Sequence, residues 1–422
     1  MIGFLISAVK IIFLLGFLIL IHESGHFFIA KLFKVKVEEF AIGFGPKIFT
    51  KQGKETKYEL RLIPLGGFVR MEGEEQRSDS ERSFNNASIP KRMGIVAAGA
   101  IVNIVFGILV YFIIVAVVGN NVSNIVDTTN EGYIASEVGI ISGDKIEKIN
   151  NKKIRLKSDI DEILQNCNGE ELTLLIERNN EEKEIKLKPT EKYTKSTGIY
   201  VSQAQTGDKA TQIIQIEKGS NAEKDGLQAN DVIKTINGVD VTGDVQKLVN
   251  EIQNTTSDKA KIEVERNNEI IELELTIDSI PTYYLGINFK MAENNFTNNL
   301  YYAFYRTGDF LASIAENIKM LFTGNVGLDQ MTGPIGISNM VSQTTGFADF
   351  MYLLALVSIS LGITNLLPIP ALDGGKLLIL LIEAIRRKPM KEELEIGIQL
   401  VGFFILISLS IFISYKDILR IF

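Results

Sequence analysis

The chain has 422 residues, 46% of them apolar and 23% charged, with a formal net charge of −7 at neutral pH. A mean hydropathy of +0.15 is high for a soluble protein and low for a chain buried wholly in lipid, so one part should lie in membrane and another in water, with room for roughly two to four domains. The acidic balance carries no nucleic-acid signature, and the single cysteine, Cys167, excludes an internal disulfide framework and a cysteine-rich metal site.

The first apolar stretch runs from about Phe4 to Ile29, long enough to span a bilayer, which takes about 20 residues. It lacks the basic start and small-residue cleavage site of a secretory signal peptide. Both histidines of the chain fall in it, in His22-Glu23-Ser24-Gly25-His26. On a helix, residues four apart share a face, so the two imidazoles can grip one metal ion. Glu23 is then placed to take a proton from a water that the metal activates. This is the H-E-x-x-H pattern of zinc peptidases. Residues 31–92 are rich in Lys and Arg and contain two strand-like runs, Phe40–Phe44 and Tyr58–Ile63. The second span is predicted over Met93–Gly119, with Asn103 its one strongly polar side chain.

From about 121 to 280 the sequence repeats itself. Ala135-Ser-Glu-Val-Gly139 through Asp144 to Asn150-Asn151 matches Ala222-Glu-Lys-Asp-Gly226 through Asp231 to Asn237-Gly238, and Ile176-Glu-Arg-Asn-Asn-Glu181 matches Val264-Glu-Arg-Asn-Asn-Glu269. Each copy reads as a short helix, a glycine turn, a strand, a tight turn, a helix and two alternating strands. The copies resemble PDZ domains of the bacterial protease type, which bind extended peptide at a sheet edge, and the alternative is a pair of spacers without a ligand. The expected domains are 121–195 and 196–290, with Tyr284–Ile287 as a ligand-loop strand and Gly198–Val201 as its partner in the first copy. Residues 291–349 follow. Their Thr297–Phe322 stretch reads as an amphipathic helix, either on the outer membrane surface or packed on the second copy.

A third span is expected at about Phe350–Leu367, within an element reaching 372, then a loop over 373–395 and a fourth span at about Ile396–Tyr415. Two histidines leave a catalytic zinc one protein ligand short. Asp373, in Asn365-Leu-Leu-Pro368-Ile-Pro370-Ala-Leu-Asp373-Gly374-Gly375 at the inner end of span three, matches the depth of His22, and the prolines there break the helix. The basic 31–92 segment and the Arg386–Lys391 turn both read as cytoplasmic. That leaves the termini and 120–349 outside, and puts the metal below the cytoplasmic surface.

With H-E-S-G-H in span one, N-x-x-P-x-P-x-L-D-G in span three and PDZ-like repeats between spans two and three, the chain resembles the site-2 protease family of intramembrane zinc metalloproteases, in its RseP-like branch. Gly43-Phe44-Gly45-Pro46 and Arg61–Gly67 resemble the membrane-associated β region of that family, Ala98–Asn103 its second-span motif with Ala100 where many members have proline, and Met331–Ile337 the segment before span three. The resemblance implies four transmembrane helices, a membrane-associated β region and two inserted α+β PDZ domains. It implies Zn²⁺ held by His22, His26 and Asp373, with Glu23 as catalytic base. Asn103 and Asn365 would hold substrate carbonyls, their alternative being helix–helix hydrogen bonds, and Gly43, Phe44 and Gly45 would face the unwound substrate, their alternative being a plain structural hairpin. Substrates would be single-span proteins, such as an anti-sigma factor or a signal-peptide remnant, already cut by an upstream site-1 protease in a bacterial inner membrane, with no nucleic-acid partner. Two other classes compete with a protease. A silent PDZ-bearing membrane scaffold would lack a ligand or the base, and a metal carrier would need polar or acidic residues along several spans.

Overall fold

The structure, a computed structural model, describes residues 2–74, 76–119, 121–201, 207–323, 333–344 and 346–421. The chain divides into two compact units, Met1–Asn120 with Glu293–Phe422, and Asn121–Ala292.

The first unit holds helices α1 (Ile2–Leu32), α2 (Ile89–Val118), α3 (Phe296–Thr323), α4 (Pro334–Gln343), α5 (Phe347–Leu366), α6 (Asp373–Arg386) and α7 (Glu392–Ile421). Four of these are long and apolar enough to cross a membrane, over Ile6–Leu32, Ile89–Val118, Phe347–Leu366 and Glu392–Leu419. Helix α2 starts with proline in its first turn and ends at Gly119, whose left-handed φ of 68° lets its N–H return to the Val115 carbonyl. Small residues let α2 and α5 lie close. A Cβ on Gly107 would stand 3.0 Å from the Ala355 carbonyl oxygen and one on Gly362 2.7 Å from that of Ala100. The Ser358 hydroxyl donates to the Asn103 carbonyl at 2.7 Å.

One expectation needs correction here. The expected loop 373–395 is mostly helix: α6 begins at Asp373, straight after the break at 367–372. Gly374 and Gly375 allow this, because a Cβ on either would collide with the carbonyls of Leu366, Leu367 or Ile369. The expected amphipathic segment buries the first half of its helix, α3, through Asn299, Tyr302, Ala303 and Thr307. Phe296 meets Phe112 of α2 with ring centroids 5.5 Å apart, leaving Leu300 and Phe304 exposed. Helix α4 follows, its first N–H groups held by Asp417 of α7 (Gly333 at 3.0 Å, Gly336 at 2.8 Å). Met331 and Thr332 of the motif noted before span three lie outside the described residues.

Between α1 and α2, strands β1 (Val37–Gln52) and β2 (Lys57–Met71) each bend sharply. Residues 37–42 pair with 67–71 (Phe40 with Val69, Ala41 with Phe68, Ile42 with Gly67) and 47–52 pair with 57–61, with numbers running in opposite directions. Residues 39–42 also meet 57–60 with numbers rising together. The result is a four-stranded sheet ordered 67–71, 37–42, 57–61, 47–52. Glu59, fully buried, sits under Lys47, Lys57 and Arg61. Burial works against its charge, but these three cations outweigh burial and hold its carboxyl below the usual range.

The second unit contains the repeat, and its copies fold as expected locally. The turns at Asn179-Asn180 and Asn267-Asn268 both have φ values of 53° and 65°, the left-handed pair that a two-residue hairpin requires. Arg178 grips Asp144 at 2.6 and 2.7 Å and the Gly139 carbonyl at 2.8 Å; Arg266 grips Asp231 at 2.7 and 2.7 Å and the Gly226 carbonyl at 2.8 Å. Each Glu-Arg-Asn-Asn run therefore supplies a hairpin turn and a fork that ties it to the glycine turn.

The cores do not divide at 195/196. Strand 190–196 leaves the first core and pairs along its length with 278–284, from Ser196–Asp278 to Thr190–Tyr284. Strand 287–291 then joins the first copy beside 122–129, and Leu285, Ile287 and Phe289 pack into its core. Ile199 and Val201 pack into the second core. The backbone bonds agree: the Ala135 N–H donates to Leu285 in the first copy at 3.2 Å, and the equivalent Ala222 N–H donates to Thr197 in the second at 3.2 Å. The ligand-loop assignments made from sequence are thus reversed, with Tyr284–Ile287 in the first copy and Gly198–Val201 in the second. The second copy is nested inside the first.

Two outcomes follow. Replacing 197–277 by a two-residue Asn-Gly turn between Ser196 and Asp278 should leave a cooperatively folding first copy, whereas 121–195 alone should not fold; tertiary circular dichroism distinguishes them. Arg178→Ala strands the buried Asp144 and should destabilise that copy by roughly 3 kcal/mol. Burial would raise the Asp144 pKa, but Arg178 and the Ile141 N–H outweigh it and hold it low. The pair's contribution is therefore present above the ordinary carboxyl pKa and is lost as pH falls through the lowered one. Denaturant titrations of wild type and variant should converge as the pH is lowered.

Candidate metal centre

Helix α1 carries His22 and His26 one turn apart, with ring centroids 4.8 Å apart and Nε2 atoms 3.2 Å apart. Asp373, the first residue of α6, brings Oδ2 to 3.2 Å from His22 Nε2 and 3.5 Å from His26 Nε2. One ligand atom from each of the three lies within 4.8 Å of the others. That carboxylate oxygen is buried and makes no well-angled hydrogen bond, while the two imidazole nitrogens are close enough to share one proton or one metal ion. Two nitrogens and one carboxylate oxygen form a donor set that suits zinc and leaves a coordination position for water. The residues therefore fit the metal that the motif implies.

The histidines are held from behind. His26 Nδ1 lies 2.9 Å from the Ile95 carbonyl oxygen of α2, which requires Nδ1–H and leaves Nε2 free to ligate. His22 Nδ1 lies 3.3 Å from the Asn103 side-chain amide. Helix α2 comes this near because neither helix carries a side chain at the crossing. A Cβ on Gly25 would stand 2.6 Å from the Ala98 carbonyl oxygen, and one on Gly99 would stand 2.4 Å from His26 Nε2 and 2.8 Å from His22 Cε1.

Glu23 faces the β sheet. A Cβ on Gly67 would lie 3.0 Å from Glu23 Cγ and 2.9 Å from the Ala41 carbonyl oxygen, so strand 67–71 runs directly beside the glutamate. Its partner 37–42 occupies one side, and no strand pairs with its other side among the described residues. Gly43, Phe44 and Gly45 form the bend just past Ile42, the residue paired with Gly67. Gly43 and Gly45 have left-handed φ values of 87° and 81°, and the Phe44 ring covers Gly66. Asn365 is half-buried in the last turn of α5.

Sequence reasoning missed the tethers that fix α6. Lys376, one turn beyond Asp373, pairs with Glu74 at 2.7 Å, and Glu74 also accepts the Met71 N–H at the end of strand 67–71. Arg92 at the start of α2 forks onto Glu383 at 2.8 and 3.2 Å. Ala371 takes a left-handed φ of 73° to turn the chain into α6, and its N–H is received by the Gln399 side chain of α7. These residues are ordinary charges and small side chains in sequence; the paired glycines at 374–375 were the one local signal of close packing.

Residues 10–409 match the model of peptidase family M50. A Vibrio cholerae protein provisionally named a zinc metalloprotease is 31% identical over 446 residues, covering 98% of each chain. The regulator of sigma-E protease RseP of Escherichia coli K12 is 28% identical over 460 residues, covering the whole of both chains (100% each). Zinc metalloprotease RasP of Shouchella clausii is 28% identical over 434 residues, covering 96% of this chain and 97% of its own.

Gly99→Ala places a methyl against both histidine rings and should weaken zinc binding about tenfold or more, read by competition with a chromogenic chelator. Gly397→Ala, where a Cβ meets open space, should leave zinc affinity unchanged.

Proposed function

The chain belongs to peptidase family M50 and is a zinc metalloprotease, and on that premise we propose that His22, His26 and Asp373 hold the zinc and that Glu23 is the general base. The observation that carries this reading is the meeting of Asp373 Oδ2 with both histidine Nε2 atoms at 3.2 and 3.5 Å, from residues more than four-fifths of the chain apart.

When bound there, zinc supplies the acidity that makes a water nucleophilic near neutral pH. The Glu23 carboxylate takes the proton from the attacking water and returns it to the departing amine nitrogen. A scissile bond in a helix is shielded by its own hydrogen bonds, so the substrate must unwind, and its freed N–H and C=O groups need partners in a bilayer. Strand 67–71 offers an unpaired edge beside Glu23, and pairing with that edge would satisfy them. Gly67 suits this, since any side chain there would strike Glu23. The bend at Gly43, Phe44 and Gly45 borders the same edge, and Asn365 lies at the end of α5, six residues before the turn into α6.

The four long apolar helices are read as transmembrane, with the basic 31–92 segment and the Arg386–Lys391 turn on the cytoplasmic side of a bacterial inner membrane, and with both nested α+β copies outside. Those copies are read as PDZ-like modules that admit substrates only after an earlier protease has shortened their outer part. The E. coli relative is named a regulator of sigma-E protease. On that likeness the substrate class here is single-span membrane proteins, an anti-sigma factor or a signal-peptide remnant among them.

Glu23→Gln should slow cleavage of a truncated single-span reporter by roughly 10²–10⁴-fold while zinc content of the purified protein stays the same. Equal cleavage by wild type and variant would exclude Glu23 as base. Zinc-free wild-type protein would exclude the ligand set.

A further inference from the structure

Both ligating histidines must offer Nε2 to the metal, so both must carry their proton on Nδ1, and each Nδ1–H then needs an acceptor. His26 has one, the Ile95 carbonyl oxygen at 2.9 Å. His22 faces the Asn103 side chain, with Nδ1 and Nδ2 3.3 Å apart. That arrangement is a donor meeting a donor once Nδ1 is protonated. The Asn103 Oδ1 atom meanwhile is buried without a hydrogen bond, in a residue that is 1% exposed.

Carbonyl and amide ends of an asparagine occupy nearly the same volume, and a half-turn about the last bond exchanges them. Turning Asn103 gives the His22 Nδ1–H its acceptor. The same turn carries the Nδ2 donor to the unpartnered position. The backbone there is fixed from the other side, since the Asn103 carbonyl takes the Ser358 hydroxyl at 2.7 Å, and Gly99, one turn earlier, lets the helix lie against the rings.

Resting on the ligand set proposed above, we propose that Asn103 is a positioning residue for the metal. Its Oδ1 accepts the His22 Nδ1–H, fixing the tautomer and the ring plane that present Nε2, as the Ile95 carbonyl does for His26. Its Nδ2 then takes the buried position that has no hydrogen-bond partner, so the amide acts on the ring rather than on a substrate.

The test measures zinc affinity of purified full-length protein by chelator competition, together with the absorption spectrum of its cobalt form. Asn103→Leu removes both ends and should lower zinc affinity about 10–100-fold and alter the cobalt spectrum. Asn103→Asp keeps the acceptor, so zinc affinity should equal or exceed wild type. Wild-type affinity in Asn103→Leu overturns the proposal, as does equal weakening by both variants. Failure of the wild type to bind zinc would instead sink the ligand set itself, and a His22→Ala control that binds zinc normally would do the same.

Discussion

Everything at this centre depends on how close two helices can come. Helix α1 carries His22 and His26 and helix α2 the groups that hydrogen-bond them, and they come this close only because Gly25 and Gly99 face each other where any Cβ would collide. From that crossing outward, the remaining parts are placed by contact. Helix α5 lies on α2 through Gly107 and Gly362, the break after α5 turns the chain, and α6 starts with Asp373 against the histidines. Apolar surface cannot specify such a crossing inside a bilayer, where lipid tails are as apolar as leucine. Small residues and a few polar bonds do so instead.

The chemistry of the site was more legible in the sequence than its support. H-E-x-x-H is readable because helical spacing alone puts His22 and His26 on one face, and Asp373 stood out as an acid at matching depth beside two prolines. The four apolar stretches were readable for the same reason, that length and composition carry the signal. What was not readable depends on distant contacts. The pairings Lys376–Glu74 and Arg92–Glu383 join charges far apart in sequence, and nothing in either segment marks its partner. Helix α6 was read as a loop because prolines and glycines dominate its start, yet the glycines serve the packing of that start against the Leu366–Ile369 carbonyls.

The repeat shows the same division between local and distant information. Its turns, its Glu-Arg-Asn-Asn hairpins and its order of elements were visible, since each depends on a few neighbouring residues. The exchange of the last strand was not, because 198–201 and 284–287 look alike and only the completed cores decide which belongs where. Asn103 is a third instance. The resemblance implied a substrate role for it, while its side-chain amide lies 3.3 Å from His22 Nδ1, a contact that sequence distance conceals.

The nesting of one repeat copy within the other has a consequence for biosynthesis. A chain emerging from the ribosome presents residues 121–195 first, but that segment lacks the strand that closes its sheet until residue 291 has been made. The later copy, contained in 197–277, is complete earlier. The order of maturation thus runs against the order of synthesis, and the incomplete outer copy must wait with an open sheet edge of the kind that invites mispairing. The ribbon formed by 190–196 and 278–284 brings the wait to an end, since its zipping delivers Leu285, Ile287 and Phe289 to the core that lacks them.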